Sequence, residues 1–133
     1  MRVPLFALPA LFTSVLAADG GFLQSCDINS VSVVNDHYLR AFCRQANGEY
    51  LFSEEDLNLC VANDNRKLVA RDNGNYGKSC NTCLLSNPAT QPDLYMYCTC
   101  EGFVSENIFL NRFISNVDGH MRCFGHLSKP IPV

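Results

Sequence analysis

Two stretches of this chain alternate apolar and polar side chains with a period of two. Leu39, Ala41 and Cys43 interleave with Tyr38, Arg40 and Phe42; Leu94, Met96, Cys98 and Cys100 interleave with Tyr95, Tyr97 and Thr99. That period puts one set on a buried face and the other on the outer face of a β-strand. Turn-forming residues fall where hairpins should reverse: Asn35-Asp36, Asn87-Pro88 with Pro92-Asp93 beyond, and Asn116-Val117-Asp118-Gly119 between Phe113-Ile114 and Met121. No stretch carries a long helical stripe, and Asp56-Leu57-Asn58 with its counterpart predicts single helical turns. The expected fold class is all-β with short strands.

The pattern occurs twice. At a spacing of about 53 residues Tyr50 meets Phe103, Leu57-Asn58 meets Leu110-Asn111, Val61 meets Ile114, Asn63 meets Asn116 and Leu68 meets Met121. Upstream the spacing grows by one or two. Phe22 meets Tyr76, Ser25-Cys26 meets Ser79-Cys80, and Leu39-x-x-x-Cys43 meets Leu94-x-x-x-Cys98. Repeat 1 runs over about 20–73 and repeat 2 over about 74–124. Two tandem repeats predict two quasi-equivalent halves.

The amino terminus does not fit this scheme. Arg2 is the only charge before Asp19, and an apolar stretch from Val3 to Leu16 ends at Ala17-Ala18. A basic start, a short apolar run and small residues at its end predict a signal peptide over 1–17, cut after Ala17 or Ala18. The run is shorter than a membrane span and carries Pro4 and Pro9. The rest, 18–133, is the length of one domain, expected to be secreted and not membrane-inserted.

Charge and cysteines follow from that. Without Arg2, nine basic side chains face thirteen acidic ones. A mildly acidic chain has no general attraction for phosphate backbones, so nucleic acid is not an expected partner. All eight cysteines, Cys26, Cys43, Cys60, Cys80, Cys83, Cys98, Cys100 and Cys123, lie beyond the apolar stretch. An even count in a short exported chain reads as a disulfide framework. Cys80-x-x-Cys83 with Cys98-x-Cys100 also gathers four thiols of the kind zinc accepts, but export favours oxidation, and no metal or cofactor is expected. The repeat register pairs Cys26 with Cys43, Cys80 with Cys98 and Cys83 with Cys100, leaving Cys60 and Cys123 to join the halves.

Catalysis finds no footing. There is no Gly-x-Ser-x-Gly elbow and no phosphate-binding loop, and His37, His120 and His126 are scattered. Glu54-Glu55-Asp56 offers carboxylates, but neighbours on a strand face opposite ways, so the run is expected to be a charged, solvated edge.

Gly21-Phe22-Leu23-Gln24-Ser25-Cys26, then Leu39-x-x-x-Cys43, Asp56-Leu57-Asn58 and Asn63, resembles the first repeat of the cyanovirin-N family. Leu110-Asn111 followed by Ile114-Ser115-Asn116-Val117-Asp118-Gly119-His120-Met121 resembles the close of its second repeat. The extra cysteines are similar to those of secreted fungal members. The resemblance implies a pseudo-symmetric, two-lobed fold, each lobe built partly from both repeats, and a non-catalytic lectin. Its implied partners are mannose-rich glycans or glycoproteins, bound without metal by a monomer or a domain-swapped dimer.

A sugar site wants directional donors and acceptors. The resemblance gathers Gln24, Ser25, Asn47, Asn116, Asp118 and Gly119 in the lobe joining the chain's two ends. The repeat places a weaker set, Asn63, Asn65, Lys78, Ser79, Thr99 and Glu101, in the other. Asn-rich turns also form without any ligand, because Asn and Asp bond their own backbone. Arg44 and Ala46 stand where the family commonly has other polar residues, and Cys100 takes a sugar-contact position. Arg66 replaces a turn glycine and is expected to resist a positive φ. These departures leave a second reading: a cysteine-rich structural or effector protein that keeps the fold and has lost the sugar site.

Overall fold

The computed structural model describes residues 20–133; the signal-peptide reading of residues 1–17 falls outside them. Thirteen short strands and five single 3-10 turns follow one another, with no longer helix among the described residues. No helix there is long and apolar enough to cross a membrane. The strands are β1 (Ser32–Val34), β2 (Tyr38–Arg44), β3 (Tyr50–Asp56), β4 (Val61–Asp64), β5 (Lys67–Ala70), β6 (Cys80–Leu85), β7 (Tyr95–Cys100), β8 (Phe103–Val104), β9 (Ile108–Phe109), β10 (Ser115–Val117), β11 (His120–Cys123), β12 (His126–Leu127) and β13 (Lys129–Pro130).

The halves interlock. β1, β2, β3 and β13 form one antiparallel sheet, and the β10–β11–β12 sheet from the other repeat packs on it through β11 and β3. In the second lobe β7 pairs with β6, β8 and β9, while β5 of the hairpin β4–β5 lies against β9. The Leu-Asn pairs explain the crossing. The Asn111 carbonyl accepts the Gly21 N–H at 2.7 Å and its side chain the Leu23 N–H at 2.9 Å; Asn58 does the same for Asn75 and Gly77, both at 2.8 Å. Each repeat thus caps the first helical turn of the other's sheet.

Apolar positions related by the repeat meet in one core: Phe22 and Tyr76, Leu57 and Leu110, Val61 and Ile114, Leu68 and Met121 are all buried. Tyr76 is the polar member. Its O–H donates to the Asp36 carbonyl at 2.6 Å, and burial pushes its phenol above the usual range. The alternation over β2 and β7 is as expected, with Leu39, Ala41, Cys43, Met96, Cys98 and Cys100 turned inward.

Three expectations need correction. First, the bridges are Cys26–Cys43, Cys60–Cys123, Cys80–Cys100 and Cys83–Cys98, so Cys80 does not pair with Cys98, nor Cys83 with Cys100. Antiparallel strands pair residues running in opposite directions. Cys80 lies opposite Cys100; a bulge between Asn81 and Leu84, with Thr82 at φ 51, supplies the extra residue that brings Cys83 to Cys98. The counterpart of Cys43 is therefore Cys100: the Ser25 carbonyl accepts from Arg44 N–H, and the Ser79 carbonyl from Glu101 N–H. The repeat register slips by two residues there. Second, Arg66 adopts the positive φ it was expected to resist, at 68° beside Asn65 at 53°. Third, the acidic run is not a solvated edge throughout. Glu54 pairs with Arg40 at 2.8 Å and Asp56 with His37 at 3.0 Å, but Glu55 is 1% exposed. Leu39 faces Glu55 in one half as Met96 faces Ile108 in the other, so Glu55 holds the place of an aliphatic core residue. Burial, aided by the Asp56 charge and opposed by backbone N–H groups of Cys123 and Asp56, pushes its carboxyl up to about 8.

Candidate functional site

The turn between β10 and β11 carries Asp118 at φ 51 and Gly119 at φ 91, the left-handed pair that a two-residue hairpin needs. Glycine is required here twice over. A Cβ on residue 119 would sit 2.7 Å from Gln45 Cγ and 3.0 Å from Leu51 Cβ. The close approach brings the turn against the loop joining β2 to β3, and a cleft of about 500 Å³ opens between them. Ser25, Arg44, Gln45, Ala46, Gly48, Asn116 and Asp118 line it.

Asn116 builds the cleft more than it decorates it. Its Oδ1 accepts the Gly119 N–H at 2.7 Å, closing the turn. Its Nδ2 donates to Ser25 Oγ at 2.8 Å and to the Arg44 carbonyl at 2.9 Å, tying hairpin, amino-terminal turn and β2 together. Both donors are used. Asp118 Oδ1 accepts the Ala46 N–H at 2.8 Å, which pins the loop. The groups left with capacity are the other Asp118 oxygen, the Ser25 hydroxyl hydrogen and the Arg44 and Gln45 side chains. This is an open cleft with polar donors and acceptors along its wall, suited to a polyol.

Of the first predicted set, Ser25, Asn116 and Asp118 line the cleft and Gly119 shapes it. Gln24 and Asn47 are not among its lining residues. Asn47 Oδ1 closes its own loop by accepting the Glu49 N–H at 2.9 Å. Arg44, Gln45, Ala46 and Gly48 were absent from that set. Their signal was the loop after Cys43, whose length rather than composition makes the wall.

The second set repeats the brace. Asn63 Oδ1 accepts the Arg66 N–H at 2.7 Å, and its Nδ2 donates to Ser79 Oγ at 2.8 Å. Between β7 and β8 the loop shrinks to Glu101 and Gly102. Arg66 lies 4.1 Å over the Phe103 ring with its Nε 3.8 Å from Glu101 Oε1. Thr99 sits on β7 opposite Asn81 and Val104, Asn65 at the turn apex, and Lys78 is exposed at the end of its helical turn. None of them, nor Ser79, lines the cleft at the β10–β11 hairpin.

For metal, Glu55, Cys60 and Cys123 come together among the described residues. Both sulfurs belong to a disulfide, and Cys80, Cys83, Cys98 and Cys100 are likewise joined, so none of these offers a thiolate.

A family model described as the CVNH domain matches residues 22–123. Among solved structures, TbCVNH of T. borchii is 30% identical over 77% of this chain and 98% of its own, with a TM-score of 0.62. A microvirin:mannobiose complex is 27% identical over 78% and 98%, TM-score 0.63. A MoCVNH3 variant in complex with (N-GlcNAc)4 is 18% identical over 78% and 97%, TM-score 0.66, a likeness of fold. No curated protein matches the sequence.

Proposed function

Since the chain belongs to the CVNH domain family, we propose that its first-lobe cleft binds mannose-type oligosaccharides as a non-catalytic lectin. The observation that carries this reading is the braced cleft itself. Asn116 and Gly119 hold Asp118, Ser25 and Gln45 around an open polar concavity, with hydrogen-bonding capacity that the fold does not consume. Asp118 offers an acceptor for a pair of vicinal hydroxyls, Ser25 a donor and Gln45 both. Microvirin, a relative of the same fold, is known in complex with mannobiose, which supports the sugar class.

The second lobe takes little part, since Arg66 and Phe103 occupy the corresponding opening. With one working cleft the protein behaves as a monovalent monomer, without gain from avidity. Four disulfides fit an extracellular protein.

Calorimetric titration of the oxidised protein with mannobiose and longer mannose oligosaccharides tests the reading. Saturable binding near one site per chain is expected, weakened by Asn116→Ala. No heat from any mannose oligosaccharide, with the fold intact, would reject it in favour of a protein that keeps the fold for other contacts.

A further inference from the structure

The two lobes differ by a charge exchange at matched positions. Arg44 and Glu101 correspond, because their N–H groups donate to the carbonyls of Ser25 and Ser79 at 2.8 and 3.1 Å. Gly119 and Arg66 correspond, because their N–H groups donate to the side chains of Asn116 and Asn63, both at 2.7 Å. In the second lobe the loop residue is an anion and the hairpin residue a cation, and the two meet at 3.8 Å. In the first lobe the loop residue is the cation, and the hairpin residue has no side chain. Among the described residues no ion pair includes Arg44, and its guanidinium lies over no aromatic ring. Its backbone is fixed by Ser25 and Asn116, and its exposed side chain lines the cleft.

From this we infer that the cleft selects oligosaccharides bearing an oxyanion, a phosphate or carboxylate substituent on the sugar, through Arg44. This rests on the sugar-binding reading above and refines it. A guanidinium presents paired N–H donors that match an oxyanion in two-point contact, and such charge-assisted bonds are about twice as strong as neutral ones. Asp118 is the one carboxylate lining the cleft, and Ala46 N–H engages its Oδ1. The sugar hydroxyls take the Asp118 side, and the anionic substituent extends toward Arg44. The protein's net charge of -3 works against anions in general, so the preference must be local.

The test titrates the protein with mannobiose, mannobiose 6-phosphate and a glucuronate-capped mannobiose at low and at physiological salt. The expected result is at least tenfold tighter binding of one or both charged sugars at low salt, shrinking as salt rises. Arg44→Gln should bring charged and neutral sugars within about twofold of each other; Arg44→Lys should keep part of the preference. A preference for the phosphate alone, or for the uronate alone, identifies which oxyanion the site takes. Equal affinity for all three sugars, or a preference that survives Arg44→Gln, overturns the inference and leaves the lectin reading standing. Binding of none of the three overturns both.

Discussion

Replacing Glu55 by Gln should remove a large part of the stability that the protein loses as pH rises from about 4.5 to 8. The carboxyl is held up to about 8 against an ordinary 4.5, first by burial and then by the charge of Asp56. In the unfolded chain it ionises near 4.5, whereas the folded protein keeps its proton until about 8. Between those values the native state holds one more proton than the unfolded state, so stability falls as pH rises, by about 1.4 kcal/mol per unit. Summed across the window, the loss is on the order of 4–5 kcal/mol. Below 4.5 both states are protonated and the contribution is fully present; above about 8 both are ionised and the slope vanishes. A small domain has roughly 5–15 kcal/mol in total, so the effect is large. Gln is the right replacement because it keeps an acceptor for the Cys123 and Asp56 N–H groups and cannot ionise. Urea unfolding at pH 5 and pH 8.5, disulfides intact, is the assay. The variant should match the parent at pH 5 and exceed it by several kcal/mol at pH 8.5. Every other titrating group is common to both proteins, so a difference that stays constant between the two pH values refutes the burial argument.

Asn116→Ala with Asp118→Ala should weaken binding of a mannose oligosaccharide at least tenfold, at about 1 kcal/mol per lost hydrogen bond; Asn63→Ala with Asn65→Ala should change it less than twofold, and titration of both variants decides whether the lobes are unequal. Gly119→Ala should lower stability by about 1–2 kcal/mol through its left-handed φ and also reduce affinity, because the new methyl displaces Gln45 from the cleft wall; a thermal melt and a titration read the two effects. Proteolysis without reduction should yield fragments joined as Cys80–Cys100 and Cys83–Cys98, seen by mass spectrometry once cleavage separates the paired segments. Removing Cys60–Cys123 by Ala substitution should cost about 4 kcal/mol in chain entropy, against roughly 2 for Cys83–Cys98, whose loop is already shortened by Cys80–Cys100; denaturant midpoints at pH 5 would show the order.

Strand alternation, turn positions and the doubled pattern were legible because each is a local consequence of backbone geometry. The inward faces of β2 and β7, the Leu-Asn turns and the hairpin at Asp118-Gly119 needed no long-range information. Register was legible only to within two residues. A slip of two preserves which side chains face inward, so periodicity cannot distinguish Cys98 from Cys100 as the partner of Cys80. The Thr82 bulge that settles the pairing leaves no mark in an alternation count. Glu55 was misread for a related reason. Alternation correctly puts it on the face opposite Glu54 and Asp56, but its charge argued for solvent, and only the packing of β11 over β3 shows that face to be core. At the cleft, the polar residue types were readable, whereas which of them the fold already consumes was not. Asn116 looked like a ligand contact and is chiefly a brace; Arg44 looked like a departure and is the wall's free side chain.

The two lobes show how little must change for one brace to yield one open site. Asn63 and Asn116 make the same bonds to a turn N–H and to a serine hydroxyl, so the scaffold beneath both sites is equivalent. Two differences then act together. The loop after Cys43 runs from Gln45 to Glu49, long enough to stand away from the hairpin as a wall, whereas its counterpart after Cys100 is only Glu101-Gly102. The turn residue is Gly119 in one lobe and Arg66 in the other. Arg66 tolerates its left-handed backbone, a conformation costing about 1–2 kcal/mol for a residue with a Cβ, because its side chain is held by Phe103 and Glu101. Gly119 carries no such strain and brings no side chain to the first cleft. Glycine at 66 alone would remove that side chain without lengthening the loop after Cys100, so on the proposed reading two independent differences separate the second lobe from the first.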